Sequence, residues 1–398
     1  MKRCLIILFG VVLTAVTACE KHAEQTPVQE EVNYSLKFVS GDYRIFAPGE
    51  TAELDLSNIN PDGEPVNVIE DVSCTVYVPE NSAELIAAFN AKWASDCVLA
   101  PTSVYSISPV TMKAGTHAVQ AKVRIDTDKI RSAKSAKAYV LPLKIKTDSP
   151  EVKSHDIRYL VMPTYTTNSA GRTVVHFSSA GAYLEMYFTD QVNDKAMIFC
   201  PGGGYSELNN PLPQHYADNG IAVGVLWYTL PVGDLRGRYD LPTQDAYDAI
   251  DILWANSSRW GGYTKVGTAG RSAGGHLAAT AAAYRRDKVD FQILLYAVIN
   301  MDISKSHEGS VYQFLGDYKT KELIDAYTLF KQVGPDTPRA FITWCRNDNV
   351  VPQEFNCEPM AAALEIAGVP VETSVHETGG HATGPDYPGC VLDWLKTF

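Results

Sequence analysis

The hydrophobic rhythm of this chain changes near Pro163, and that change limits the folds open to it. From Val32 to about Met162, apolar and polar residues alternate in short runs. Examples are Tyr34-Ser-Leu-Lys-Phe-Val39, Val72-Ser-Cys-Thr-Val-Tyr-Val78 and His117-Ala-Val-Gln-Ala-Lys-Val-Arg-Ile125. A period of two is what a half-buried strand requires, because successive side chains point to opposite faces. Asn60-Pro-Asp-Gly63 is a turn signal between such runs, and Ser82 to Ala94 reads as a short helix. Residues 32–166 are therefore predicted to form an all-β sandwich.

Beyond Pro163-Thr-Tyr-Thr-Thr-Asn-Ser-Ala-Gly171, which reads as a linker, continuous apolar runs alternate with helical patterns. The runs include Lys195–Cys200, Ile221–Trp227, Tyr263–Gly267, Phe291–Tyr296, Ala340–Trp344 and Val371–Val375. Thr243–Asn256 places Ala246, Ile250 and Leu253 on one helical face. Strands buried on both faces read as unbroken apolar runs, and βα alternation implies a parallel sheet. The expectation for residues 172–398 is a doubly wound α/β sheet. A chain of 398 residues accommodates both domains.

One segment of the second half carries chemistry. Gly270-Arg-Ser-Ala-Gly274 matches G-x-S-x-G, with an apolar run before it and Gly275-His-Leu-Ala-Ala279 continuing as a helix. A serine nucleophile needs such a tight strand-to-helix turn, where small flanking residues relieve crowding and the helix N-terminus adds positive potential. Upstream, Pro201-Gly-Gly-Gly-Tyr205 follows an apolar run. Glycines let backbone N–H groups approach a developing oxyanion, so Gly203, Gly204 and Ala273 are its expected donors. Tyr205, beside these glycines, is read as a substrate-binding residue.

Of nine histidines, His381 in Gly379-Gly-His-Ala-Thr-Gly384 best suits a general base, because it lies in a loop after the last strand. His276 sits one helical turn beyond Ser272 and reads as a packing residue. Asp348 follows the run Ala340–Trp344 and is the expected acid that orients the imidazole. Asp302 is the alternative, while Glu377 and Asp386 lie too near His381 in sequence.

Composition and the first residues narrow the setting. A net charge of −12 disfavours a nucleic-acid partner, and the basic stretch Lys122–Lys137 reads as a solvated face. No CxxC pair or HExxH occurs, so no metal or other cofactor is expected. Cys74, Cys97, Cys200, Cys345, Cys357 and Cys390 are widely spaced and read mostly as buried small hydrophobes. Lys2 and Arg3 precede the apolar run Leu5–Val16, which has the length of a signal sequence and is too short to span a bilayer. It ends in Val16-Thr-Ala-Cys19, which resembles the lipobox of bacterial lipoproteins. Residues 1–18 are thus expected to be a signal peptide, Cys19 a lipid attachment site and 19–31 a tether. The protein would be exported and held at a bacterial membrane by its lipid alone.

The second half resembles bacterial α/β-hydrolases related to acetyl-xylan and feruloyl esterases. Cys200-Pro-Gly-Gly-Gly-Tyr205, Val225-Leu-Trp-Tyr-Thr-Leu-Pro231, Gly270-Arg-Ser-Ala-Gly-Gly-His-Leu277, Asp348-Asn-Val-Val-Pro352 and Gly379-Gly-His381 carry the likeness, in the family's order. The resemblance implies a metal-free serine esterase working through an acyl-enzyme on acylated oligo- or polysaccharides. A serine hydrolase of another class, peptidase or lipase-like, shares the triad order and fold and is the alternative, ahead of a non-catalytic glycan-binding lipoprotein. Three positions depart from the family pattern: Arg271 replaces an aromatic residue, Thr229 an arginine, and Cys345-Arg-Asn347 a His-containing stretch. The first half is similar to β-sandwich modules that precede glycan-active domains in bacterial surface lipoproteins, which implies an accessory, glycan-binding or spacing role.

Overall fold

In the computed structural model the described residues are 34–39, the backbone of 43–44, 51–150, 152–177, 181–188, 191–209, 211, 213–317, 319–384 and 386–398. The signal-like run, Cys19 and the tether lie outside them.

Residues up to Met162 form two packed sheets. One has the order Val152–Lys153, Tyr34–Phe38, Thr51–Ile59, Ala118–Ile125, Tyr105–Ile107. The other has the order Tyr43–Arg44, Ile157–Met162, Tyr139–Thr147, Val72–Tyr77, Val110–Met112, with Val98–Leu99 also pairing to Tyr139–Val140. Alternation decides which side chains enter. Ala52, Leu54 and Leu56 are buried while Glu53 and Asp55 between them are exposed. Leu36, Leu54, Val123, Leu141, Leu143 and Leu160 meet between the sheets. The Ser82–Trp93 helix closes a side with Ile86 and Phe89 against Val140 and Val161. The basic stretch is solvated except at Arg131, with Lys122 paired to Glu53 and Lys129 to Asp126.

The remaining residues build one nine-stranded sheet. Its strands in chain order are β1 (Thr164–Thr167), β2 (Thr173–His176), β3 (Tyr183–Tyr187), β4 (Lys195–Cys200), β5 (Ala222–Trp227), β6 (Lys265–Arg271), β7 (Phe291–Leu295), β8 (Arg339–Cys345) and β9 (Val371–His376). The spatial order is β1-β2-β3-β5-β4-β6-β7-β8-β9. The first three strands pair antiparallel, β3 is antiparallel to β5, and β4 through β9 run parallel. Helices α1 (Asp240–Asn256) and α2 (Ala273–Tyr284) cover one face through Ala246, Leu253, Leu277 and Ala281. On the other face α4 (Gly389–Leu395) sets Val391 and Trp394 against Phe291 and Phe341, with α3 (Glu308–Leu315) beyond the strand ends on the first side.

Three boundaries differ from the sequence expectation. The stretch taken as a linker contains β1, whose Tyr165 is 7% exposed and joins the core of the second domain. Its Thr- and Asn-rich composition reads as loop because an edge strand needs only one apolar residue facing inward. The strand before the nucleophile begins at Lys265 and runs through Arg271. Gly267 and Gly270 hide it from a hydrophobicity count, and a Cβ on Gly267 would lie 2.2 Å from the Phe291 ring. Helix α1 starts at Asp240, since Pro242 in the first turn gives up an N–H that no helical carbonyl could accept. Cys74, Cys97, Cys200, Cys345 and Cys357 are buried, and the six cysteines among the described residues are free thiols.

The two domains keep separate cores: Met162 ends the first and Tyr165 begins the second. Their junction is polar. The Arg131 guanidinium lies 3.6 Å over the Tyr165 ring, and Arg238 donates to the Lys92 carbonyl at 2.8 Å. A chain from Pro163 to Phe398 is therefore expected to unfold cooperatively on its own, because its core is complete. A chain starting at Gly171 loses β1 and Tyr165 and should melt several degrees lower. Calorimetry checks this, and equal melting temperatures for the two would contradict the assignment of β1 to this sheet.

Candidate active site

At the C-terminal ends of β4, β6 and β8 three loops converge. Strand β6 ends at Arg271 and α2 begins at Ala273, so the chain reverses character at Ser272 alone. Ser272 has φ 54° and ψ −125°, a conformation that L-residues avoid. The turn is anchored on both sides: Ser272 N–H donates to the Leu295 carbonyl at 3.0 Å, and Val298 N–H to the Ser272 carbonyl at 3.0 Å. The residues two positions to either side of it have no room for a side chain. A Cβ on Gly270 would lie 2.2 Å from the Gly274 oxygen, and one on Gly274 would lie 2.1 Å from the Cys200 oxygen. This is the physical content of the G-x-S-x-G pattern here.

The Ser272 hydroxyl is 2.9 Å from His381 Nε2, and His381 Nδ1 is 2.7 Å from Asp348 Oδ2. Asp348 stands in the turn after β8 and is 5% exposed. Its carboxylate accepts from the Val350 and Val351 N–H groups at 2.9 Å and from Gln353 Nε2 at 3.0 Å. Burial alone would raise its pKa. The hydrogen bonds from His381, the Val351 amide and Gln353 outweigh burial and hold the carboxyl below its ordinary range. An ionised Asp348 fixes the proton of His381 on Nδ1 and leaves Nε2 to accept from Ser272. The Tyr296 ring packs edge-on against His381, 4.7 Å between centroids, which limits ring rotation.

The alternative acid Asp302, and the two acids set aside, are engaged elsewhere. Asp302 accepts from Ser304 N–H and Oγ, Glu377 pairs with Arg346, and Asp386 pairs with His376. His276 is fully buried, bonded to the Tyr205 hydroxyl at 2.8 Å through Nδ1 and to the Tyr327 carbonyl at 2.9 Å through Nε2. The second bond needs a proton on Nε2, so Tyr205 donates to Nδ1. Burial lowers the His276 pKa to about 4, which keeps it neutral.

The assignment of Tyr205 to substrate binding is corrected by this pairing. Tyr205 has no exposed surface, and its ring lies against Tyr228, His276 and Phe314 beneath the glycine loop. With φ at 60° it turns its side chain into the core, away from the cleft. The loop above it is tight: Gly203 has φ 128°, and a Cβ there would lie 2.2 Å from the Glu207 oxygen. Gly202 packs on the nucleophile, its built Cβ being 3.3 Å from Ser272 Cβ. Gly203 and Gly204 line the cleft with Ser272, while Ala273 opens α2 as the next residue.

The cleft has a volume of about 420 Å³ and is also lined by Asn209, Arg271, Tyr296, His307 and Val350. Sequence reasoning passed over these five as site residues. His307 caps α3, its Nδ1 accepting from Ser310 N–H at 3.2 Å.

A family model described as the alpha/beta hydrolase fold matches residues 235–384. The C-terminal domain has the α/β-hydrolase fold. A second family model, described as an N-terminal domain, matches residues 33–152. The chain is 31% identical over 233 residues to an acetylxylan esterase of Xylanibacter ruminicola, covering 56% of this chain and 48% of that protein. It is 27% identical over 281 residues to endo-1,4-beta-xylanase B of Butyrivibrio fibrisolvens, covering 63% of this chain and 44% of that one. The chain thus spans about half the length or less of these two relatives. The acetyl ester-xyloside bifunctional hydrolase of Caldicellulosiruptor lactoaceticus is a similar solved structure, at 26% identity and a TM-score of 0.49, covering 54% of this chain and 88% of that one.

Within the hydrolase domain, the depressed pKa of His276 makes a stability prediction. As pH falls, the unfolded chain takes up this proton near 6.5 and the folded one only near 4. Folding stability should therefore decline from pH 6.5 to 4, by at most about 3 kcal/mol, and this contribution is flat above pH 6.5. Urea unfolding across that range, compared with His276→Gln, checks it. Parallel pH profiles for the two proteins would contradict a neutral, buried His276.

Proposed function

We propose that this protein is a serine carboxylic-ester hydrolase that removes acetyl or small aromatic acyl groups from carbohydrates. The observation that carries the proposal is the continuous hydrogen-bonded line Ser272 Oγ, His381 Nε2, His381 Nδ1, Asp348 Oδ2, at 2.9 and 2.7 Å. Beside it lies a glycine loop that packs on the nucleophile.

The reaction follows from that line. His381 Nε2 takes the Ser272 proton as Oγ bonds to the ester carbonyl carbon. The carbonyl oxygen becomes an oxyanion, stabilised by the Ala273 N–H at the start of α2 and by Gly203 or Gly204. Each such donor contributes roughly 2.7–4 kcal/mol to the transition state. The tetrahedral species collapses, the C–O bond to the sugar breaks, and His381 returns the proton to the leaving alkoxide. Water then attacks the acyl-enzyme, with His381 again as base, and releases the acid. Asp348 stabilises the imidazolium in both halves.

Two relatives support a carbohydrate substrate, since one is an acetylxylan esterase and the other a xylanase. The sandwich domain, with its own core, would present or space the catalytic domain on such a polymer. The lipobox-like Val16-Thr-Ala-Cys19 supports an exported protein anchored by lipid at Cys19.

Ser272→Ala should cut kcat on short acyl esters by on the order of 10⁶ with an unchanged melting profile. Asp348→Asn should cost roughly 10⁴ in kcat, through the wrong imidazole tautomer. Steady-state assays on 4-nitrophenyl acetate check both, and more than a few per cent residual activity in Ser272→Ala would remove the serine from its role. For the anchor, Cys19→Ser should move the protein from the membrane to the soluble fraction. Persistent membrane attachment on fractionation would count against lipidation at Cys19.

A further inference from the structure

The chain has 46 acidic residues against 34 Lys and Arg, so its surface on average repels anions. The cleft beside Ser272 has the opposite character. Among the described residues that line it none is acidic, and Arg271 and His307 both face it. The nearest carboxylate in the hydrogen-bonded line is Asp348, which is buried behind His381 and already accepts hydrogen bonds from His381, two amides and Gln353.

Arg271 precedes the nucleophile directly, so the turn fixes its Cα at the edge of the cleft that it lines. Its Cγ lies 3.4 Å from a Cβ built on Gly202, which places the stem along the glycine loop. Nη2 donates to the Asn209 carbonyl at 3.2 Å, and Tyr296 lies close enough for the guanidinium charge to act on its hydroxyl. Asn209 and Tyr296 line the cleft with Arg271 and are uncharged. A half-buried guanidinium is also less screened than one on open surface. At the other end of the loop, a Cβ built on Gly204 would lie 3.3 Å from His307 Cε1. Because His307 Nδ1 accepts from Ser310 N–H, its proton is on Nε2, making it a donor.

We propose that Arg271 recognises a carboxylate on the substrate, close to the ester that Ser272 attacks. The inference rests on the hydrolase reading above and adds a substrate class to it: acyl esters that carry an acid group. That group can belong to the sugar, as a uronate, or to the acyl half, as a dicarboxylic half-ester. A planar five-donor fork matches a carboxylate in shape, and a hydrogen bond between two ionised groups is about twice as strong as a neutral one. Arg271 is then a specificity-determining residue and takes no part in proton transfer.

The alternative role is mechanical: Arg271 as a strut that holds the Asn209 segment. The two roles separate in a ratio of rates. The first substrate pair is an acetylated methyl glucuronoside and the matching acetylated methyl glucoside. The second is the 4-nitrophenyl half-ester of succinic acid and 4-nitrophenyl butyrate. For each pair, kcat/KM of the charged member is divided by that of the neutral one, which cancels any difference in folded fraction. The wild-type protein should favour the charged member of one pair by roughly 10- to 100-fold, the range of a hydrogen bond to a charged group. The pair that shows it identifies which half of the substrate bears the acid. Added salt should reduce the ratio. Arg271→Gln should bring it near one, and Arg271→Lys should retain part of it. Ratios near one for the wild type in both pairs overturn the proposal. A preference that survives in Arg271→Gln does so as well, since a strut changes both members alike. Failure to hydrolyse all four esters and 4-nitrophenyl acetate overturns the hydrolase reading and this proposal with it.

Discussion

The backbone at Ser272 has to pass from strand to helix in one residue, at a φ of 54° that costs of order 1–3 kcal/mol. The surrounding structure over-determines that conformation. Strand β7 and the loop that follows it hold the turn through the Leu295 carbonyl and the Val298 amide. The close approach of Gly270 to Gly274, and of Gly274 to Cys200, locks α2 against β4 and β6. A sheet buried on both faces provides the rigidity that such strain needs, and the hydroxyl is thereby fixed at the strand ends where other loops can reach it.

The other groups are placed by the same logic at one remove. Asp348 sits in a turn whose own amides bind its carboxylate, so acid and loop stabilise each other. His381 bridges from this turn to Ser272 and is braced by the Tyr296 ring. Under the glycine loop, Tyr205 and His276 form a neutral, fully satisfied pair that supports the loop from the core. Asp348, His381, Tyr205 and His276 each have hydrogen-bond partners within the fold, and these order the site.

Much of this arrangement was legible in the sequence because the chemistry admits few residue types. A serine between small residues, a histidine in a late glycine-rich loop and an aspartate after an apolar strand leave few candidates for each role. Tyr205 was misread for a physical reason. Its position next to three glycines says that it is near the cleft, but its positive φ, which turns the ring inward, has no signature in residue type. Strand β1 escaped because an edge strand of Thr, Tyr and Thr carries little apolar periodicity, and its burial depends on a partner strand formed later in the chain. His307 escaped because it enters the cleft only through the packing of α3, which local spacing does not encode.

The central claim is that the strained turn and the hydrogen-bonded line make Ser272, among all the hydroxyls of the chain, a nucleophile. A serine-directed fluorophosphonate measures that property without reference to any natural substrate. After reaction with the folded protein and proteolysis, mass spectrometry should find a single adduct, on the peptide containing Ser272, and none after denaturation. An unlabelled Ser272, or an adduct on a different residue of the folded protein, would contradict the account.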